Sequence, residues 1–332
     1  MRKLKISALL IAATMLFAGC QSNDTAKKDS DSAKNGQQTI YLRRGIKAAH
    51  GDNSFASIGV ITDGEKIYDV SIDEYQYSED PDAVKPVPST DGEFGEGSDN
   101  VLFSKLENDA YYSELMKEHG QSTKTVKDNY KAIEEYAKSM SIEDLEQEIE
   151  EKGDKIVDAV SEATLVDTKG YLEAIVFAAK NDKGEVEAKA NDKSQIKLKR
   201  SLSAPHGDKT FAEIFVAVED DVIGAASIDE YQYFDGEGVA NSDKAFGENY
   251  KQAPLSSKLR NNDAYSKLMK EHGEATKTMA ENFADIQNYV AGKKVSDLEN
   301  EIKNKSEDAI TSATLVDEVG YLQSIVDCAN AK

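Results

Sequence analysis

The chain has 332 residues, 39% hydrophobic and 31% charged, a balance that suits about two soluble globular domains and is too apolar for wholesale disorder. The net charge is −22. A surface this negative repels nucleic-acid phosphates and anionic lipid headgroups, which excludes DNA, RNA and polybasic membrane docking as main activities. Two cysteines, Cys20 and Cys328, four histidines and no Cys-x-x-Cys leave no ligand set for thioredoxin-type chemistry, covalent c-type haem, Cys-rich zinc sites or iron–sulfur clusters.

The first twenty residues begin with Arg2, Lys3 and Lys5, continue with an apolar stretch from Leu9 to Phe17, and end on Ala18-Gly19-Cys20. The apolar stretch is too short to span a bilayer. The segment resembles the lipobox of bacterial lipoproteins, with Phe17 where Leu is usual. That resemblance implies a signal peptide over 1–19 and a diacylated, palmitate-type Cys20 as the new N-terminus. Two acyl chains give the stable anchoring that one chain does not. Residues 20–37 hold no apolar residue larger than Ala after Cys20, and read as a flexible tether with a mean reach of roughly 20–25 Å.

Beyond the tether the chain repeats itself. His50-Gly51-Asp52 returns as His206-Gly207-Asp208, and Ser71 to Tyr77 returns unchanged as Ser227 to Tyr233. Asn108 to Tyr111 returns as Asn262 to Tyr265, Leu115 to Gly120 as Leu268 to Gly273, and Ala163 to Asp167 as Ala313 to Asp317. A period this long means tandem domains, not a solenoid. The expected boundaries are 38–180 for the first domain, 181–194 for a polar linker and 195–332 for the second.

Each repeat starts with strands. Ala56, Ile58 and Val60 alternate, Asp63-Gly64 signals a turn, and Tyr68, Val70 and Ile72 alternate again. The counterparts are Ala212, Ile214 and Val216, then Gly224, Ala226 and Ile228. The second part of each repeat is helical: Val126, Tyr130, Ile133 and Ala137 form one stripe, matched by Met279, Phe283, Ile286 and Val290. Ser141 with Asp144, and Ser296 with Glu299, suggest N-terminal caps. Gly120 and Gly273 suggest C-terminal ones. A hairpin-led antiparallel sheet followed by helices gives an α+β class.

The candidate chemistry centres on one segment. Copy one runs from Val157 to Thr164 and copy two from Glu307 to Thr314. Here the sequence resembles FMN-binding domains whose Thr is covalently flavinylated, and, over most of the mature chain, the flavinylated lipoproteins of Gram-positive extracellular electron transfer. The family pattern is Asp, two residues, Ser/Thr, Gly, Ala, Thr. Asp158, Ser161, Ala163 and Thr164 match it, as do Asp308, Thr311, Ala313 and Thr314; the Gly is replaced by Glu162 and Ser312. The resemblance implies two tandem FMN-binding-like domains and FMN on a phosphoester to Thr164 and to Thr314, added by an FMN transferase. It further implies electron flow from a membrane NADH/quinone oxidoreductase to extracellular acceptors such as ferric iron or free flavins. The protein is then a redox carrier on the outer face of the cell membrane, and not itself an enzyme. The alternative is an extracellular binding lipoprotein whose signal peptide yields a peptide pheromone. The residues alone support only part of this: Thr supplies a hydroxyl, Ala leaves room beside it, and a bonded cofactor is not lost to dilution outside the cell.

Other candidates are weaker in pattern. His50 and His206 could be general bases, flavin partners or turn residues, while His119 and His272 suit helix C-termini. With no Cys or His partner at ligand spacing, no metal site is expected. Tyr75, Tyr77, Tyr231 and Tyr233, with Phe94 and Phe246, could stack on a flavin ring or bury in the core. Cys328 stands where the first repeat has Ala178 and is expected to be a small buried filler.

Overall fold

The computed structural model describes residues 36–89, 94, 100–120, 122–138, 140–160, 162–242, 253–272, 275–304 and 310–331. Cys20, Ser161, Phe246, Gly273 and Asp308 lie outside the described residues. The chain is α+β. The first repeat supplies β1 (Gln38–Lys47), β2 (Ser54–Thr62), β3 (Ile67–Ser78), β4 (Val101–Ser104), α1 (Asp109–His119), α2 (Val126–Lys138), α3 (Ile142–Lys152), a 3₁₀ turn (Gly153–Asp158) and α4 (Thr168–Lys180). After β5 (Val186–Ala190) the order returns as β6 (Lys197–Ser203), β7 (Phe211–Glu219), β8 (Val222–Tyr233), β9 (Leu255–Ser257), α5 (Asn262–His272), α6 (Met279–Val290), α7 (Val295–Asn304) and α8 (Glu318–Asn330).

Two antiparallel sheets result, ordered β4-β3-β2-β1-β5 and β6-β7-β8-β9. The central hairpins share one register: Ile58 faces Ile72, and Ile214 faces Ile228. The Asp63-Gly64 turn forms as expected. Asp63 Oδ1 accepts the backbone N–H of Glu65 at 3.1 Å and of Lys66 at 2.9 Å, and Gly64 takes φ +96°, a conformation glycine adopts without steric cost. The expected stripes on α2 and α6 are buried residue for residue. They lie over β3 and β8 and join the same cores as Ala56, Ile58, Val60 and Ala212, Ile214, Val216, which α4 and α8 cover on β2 and β7.

Two expectations fail. The segment 181–194, read as a polar linker, contains β5, which pairs with β1 from Gln38↔Ala190 to Leu42↔Val186. Its Val186, Ala188 and Ala190 alternate inward among charged neighbours, a short strand signal masked by polar composition. Ser296 does not cap a helix: it lies inside α7, and its hydroxyl donates to Asp221 at 3.1 Å. Ser141 does cap α3, accepting the Asp144 N–H at 3.0 Å, and the full capping box belongs to Thr278 and Glu281 ahead of α6. The alternation of Ala56, Ile58 and Val60 accounts for one face of β2, but all nine of its residues are buried, so the other face is covered as well.

The second face of β2 is buried because the two repeats pack against each other. Phe55 stacks on Tyr75 at 4.9 Å and Phe211 on Tyr231 at 4.9 Å, and the pairs cross at 5.8 Å (Phe55–Tyr231) and 5.6 Å (Tyr75–Phe211). These reciprocal contacts describe a local pseudo-twofold arrangement, the geometry of an isologous interface built into one chain. Beside the rings lies a buried ionic cluster. Glu213 receives Arg44 at 2.7 Å and Arg200 at 2.9 Å, and Arg200 also pairs with Asp73. Tyr75 and Tyr231 are therefore seam residues, Tyr77 and Tyr233 meet hydroxyl to hydroxyl, and Phe94 packs on Tyr233. Cys328 is a filler as expected: its thiol donates to the Ile214 carbonyl at 3.4 Å, and burial pushes it up to about 11.

One repeat difference yields a pH prediction. Glu134 Oε1 accepts the Ile72 N–H at 2.8 Å, and burial first, then repulsion from Asp69, push its carboxyl up to about 8 despite that bond. The second repeat makes the same bond with a neutral side chain, Gln287 to Ile228 N–H at 2.9 Å. A raised folded pKa means the folded state holds a proton that the unfolded state has lost, so stability falls as pH rises from the ordinary carboxylate range toward 8. Glu134→Gln is expected to remove that fall. In denaturant titrations it should exceed wild type above pH 8 by on the order of 1–3 kcal/mol, with the gap closing toward pH 5.

Candidate functional site

Thr164 and Thr314 sit in matching loops that lead into α4 and α8, each half-buried. The local chain is fixed by one buried side chain per repeat. Asn129, on the first turn of α2, accepts the Thr164 N–H at 2.6 Å and lies 3.3 Å from its hydroxyl. Asn282, on the first turn of α6, accepts the Thr314 N–H at 2.6 Å and lies 3.1 Å from its hydroxyl. Both asparagines are fully buried. Their amide groups donate backward to the loops before each helix: to Thr125 at 2.8 Å and to Thr278 at 2.9 Å. An asparagine suits this place because it accepts on one side and donates on the other.

The remaining partners of each hydroxyl differ. In the first repeat Ser122 Oγ lies 2.8 Å from Thr164 Oγ1. The Ser122 proton goes to the Lys124 carbonyl at 3.0 Å, which leaves Ser122 to accept from Thr164. In the second repeat Ala275 stands in that place, and Thr314 Oγ1 instead accepts the backbone N–H groups of Thr276 at 3.2 Å and Lys277 at 3.4 Å. A lysine flanks each loop. Lys124 Nζ is 3.0 Å from Glu162, and Lys277 Nζ is 2.7 Å from the Ser312 carbonyl and paired with Asp285.

The remaining motif residues divide. Ala163 is half-buried and Ala313 buried, its N–H donating to Thr311 Oγ1 at 2.9 Å. Thr311 thus holds the turn and does not touch Thr314 through that bond. Asp158 ends the 3₁₀ turn on an exposed face; among the described residues the hydroxyl partners of Thr164 are Ser122 and Asn129. Glu162 takes φ +74°. That left-handed conformation favours glycine and costs a β-carbon about 1–2 kcal/mol, so the position where the resemblance calls for Gly is one where the backbone wants it.

The histidines, separate candidates in the sequence, come next to the threonine loops. Three residues after Thr164, Asp167 Oδ2 lies 2.7 Å from His50 Nδ1, and Asp317 pairs with His206 in the same way. The hydrogen bond from His50 holds the Asp167 carboxyl below the usual carboxylate range. Each His-Gly-Asp loop is also held by the opposite repeat: Ser89 Oγ donates to the Gly207 carbonyl at 2.9 Å, and Asn241 donates to the Gly51 carbonyl. Between each Thr and Asp one valine faces solvent, Val166 at 75% and Val316 at 93% exposure. His119 and His272 end α1 and α5, as expected of helix C-termini. Among the described residues no cluster of three His, Cys, Asp or Glu could hold a metal ion.

A separate groove of about 540 Å³ lies between α3, α4 and the end of β1, lined by Lys47, Ile149, Val176, Phe177 and Lys180 among others. None of the motif residues line it. Asn129, Asn282, Asp167 and Asp317 were missed in the sequence. Their signal was the repeat itself, since each recurs beside a changed neighbour. No family model matches the chain, and no curated protein or solved structure matches it either.

Proposed function

We propose that the chain is a lipid-anchored extracellular electron carrier of two tandem FMN-binding-like domains, with FMN joined by a phosphoester to Thr164 and to Thr314. The observation that carries this reading is the pairing. Two half-buried threonine hydroxyls occur at matched positions, each fixed by a buried asparagine and flanked by a lysine, an exposed valine and an Asp–His pair. The residues present fit the group. Thr164 and Thr314 are half-buried and not sealed in the core, Lys124 and Lys277 would exchange Glu162 and Asp285 for a phosphate diester, and Val166 and Val316 offer apolar surface to a ring. Flavin supplies the capacity to accept two electrons and release them singly. The chain's own residues hold the attachment point, and the His–Asp pairs fix the neighbouring loop.

An FMN transferase would load the sites, a membrane NADH/quinone oxidoreductase would supply electrons, and ferric iron or free flavins would take them. A net charge of −22 favours encounter with cationic acceptors over anionic ones. Cys20 would carry the lipid anchor. Among the described residues no helix is long and apolar enough to cross a membrane. Because the repeats share a buried seam, the tether would carry both sites as one body.

Intact mass and visible absorbance test this. Protein produced with the transferase should gain two FMN phosphoesters. Thr164→Val and Thr314→Val should each lose one, and the double variant both, with its flavin absorbance. A wild-type chain that gains none, or a double variant that keeps its flavin, overturns the reading.

A further inference from the structure

We propose that Asn129 and Asn282 are the positioning residues of the two acceptor threonines, each setting the rate at which its own threonine takes up the flavin phosphate. The inference rests on the flavin reading above and adds residues that the motif does not contain. In the modification, Thr Oγ1 attacks the FMN phosphorus of a flavin dinucleotide. The Oγ–P bond forms as the anhydride P–O bond breaks, the nucleoside monophosphate leaves, the hydroxyl proton is released, and no electrons are exchanged. Such a displacement needs the oxygen in line with the breaking bond, and a misplacement of about 1 Å costs on the order of a hundredfold. A threonine in a loop does not hold its oxygen so closely unaided.

The asparagines supply what is missing. Each carboxamide oxygen binds the backbone N–H of its threonine at 2.6 Å, which fixes the Cα and therefore the origin of the side chain. The same oxygen lies within 3.3 Å of Thr164 Oγ1 and 3.1 Å of Thr314 Oγ1, which holds the hydroxyl oxygen itself at a second point. Burial keeps water from competing for either bond. Each amide in turn ties the loop before the helix to the same point, to Lys124 at 3.3 Å and Lys277 at 3.2 Å as well as to the carbonyl one residue on. The two repeats differ in every other hydroxyl partner, Ser122 in one and backbone N–H groups in the other. The asparagine is what they share.

The chain carries its own control, because each threonine can be read separately by peptide mass spectrometry in one molecule. The full mature chain, purified transferase and flavin adenine dinucleotide are used. Asn282→Ala should slow modification of Thr314 at saturation by on the order of tenfold to a hundredfold, with KM for the protein unchanged within about twofold and Thr164 modified at the wild-type rate. Asn129→Ala should show the reverse pattern. Asn282→Asp, which keeps the acceptor oxygen but loses both amide donors, should recover at least part of the rate while melting no higher than Asn282→Ala. The assignment is overturned by unchanged rates, by a change in KM alone, by equal loss at both threonines, or by rates that follow melting temperature across the two variants. If wild-type protein takes up no flavin at either threonine, the flavin reading fails instead, and the asparagine assignment with it.

Discussion

Replacing Glu213 by alanine is expected to lower the free energy of unfolding by about 3–5 kcal/mol, among the largest losses open to a single substitution here. Glu213 is fully buried and holds Arg44 at 2.7 Å and Arg200 at 2.9 Å. It also accepts the Tyr75 hydroxyl at 2.9 Å and the Ser57 hydroxyl. Arg200 retains Asp73 when Glu213 is removed. Arg44 does not fare as well: its Nε and Nη1 already lack hydrogen-bond partners in a buried place, so loss of Glu213 strands a whole guanidinium. Burial would push the Glu213 carboxyl up, but the two guanidinium groups and the Ser57 hydroxyl hold it below its ordinary value. A depressed folded pKa gives stability that is present above the unfolded carboxylate value of about 4.3 and is lost as pH falls through the folded value. The Glu213→Ala deficit should therefore be full at pH 7 and shrink only in acid. Denaturant titration of Glu213→Ala, Arg44→Met and the double variant checks the mechanism. The double variant should be more stable than Glu213→Ala alone, since it removes the stranded charge; if it is less stable, repair of Arg44 is not what Glu213 does.

How far the fold could be read in advance depends on what each residue's neighbours reveal. The α2 and α6 stripes were legible because a helix needs only its own 3.6-residue period to declare its buried face. The hairpin was legible because Asp63-Gly64 declares a turn. β1 and β6 were not, since sequences such as Leu42-Arg43-Arg44-Gly45 and Lys197-Leu198-Lys199-Arg200 read as solvated. Arg44 is buried against Glu213, and Arg200 against Glu213 and Asp73, and in each case one of those carboxylates belongs to the other repeat. Long-range pairing of this kind leaves no local period. One trace was present: Glu213 interrupts the apolar run from Phe211 to Val218, and a charge in a fully apolar strand asks for a buried partner. The site followed the same logic. Thr164 and Thr314 stood out by motif, whereas Asn129 and Asn282 sit among helix residues, and only the fold brings them to the threonine loops.

The same seam predicts that the two repeats, cut apart, fold with each other and not with copies of themselves. Near a twofold axis, equivalent positions meet. Here those positions have diverged into complementary pairs. Ser57 and Glu213 are equivalent and hydrogen-bonded. Gly59 and Phe215 are equivalent, and the Phe215 ring lies where a β-carbon on Gly59 would be, 2.7 Å away. A dimer of second repeats would set carboxylate against carboxylate and ring against ring. A dimer of first repeats would set two small residues against two small residues, leaving cavities and two buried arginines without Glu213. The turn after β5, exposed at Asp192, Ser194 and Gln195, is the place to cut, because β5 must stay with β1. Fragments 36–193 and 194–332 mixed at equal concentration should co-elute as a one-to-one complex with a cooperative melt. Each fragment alone should show neither a stable homodimer nor that melt. In the intact chain Gly59→Phe should cost at least about 3 kcal/mol by overpacking and Phe215→Gly about as much by opening a cavity. Combining them moves the ring to the other side of the axis and should recover part of both losses. A stable homodimer of either fragment, or strictly additive losses in the exchanged pair, would mean that the divergence at the axis does not specify how the repeats pair.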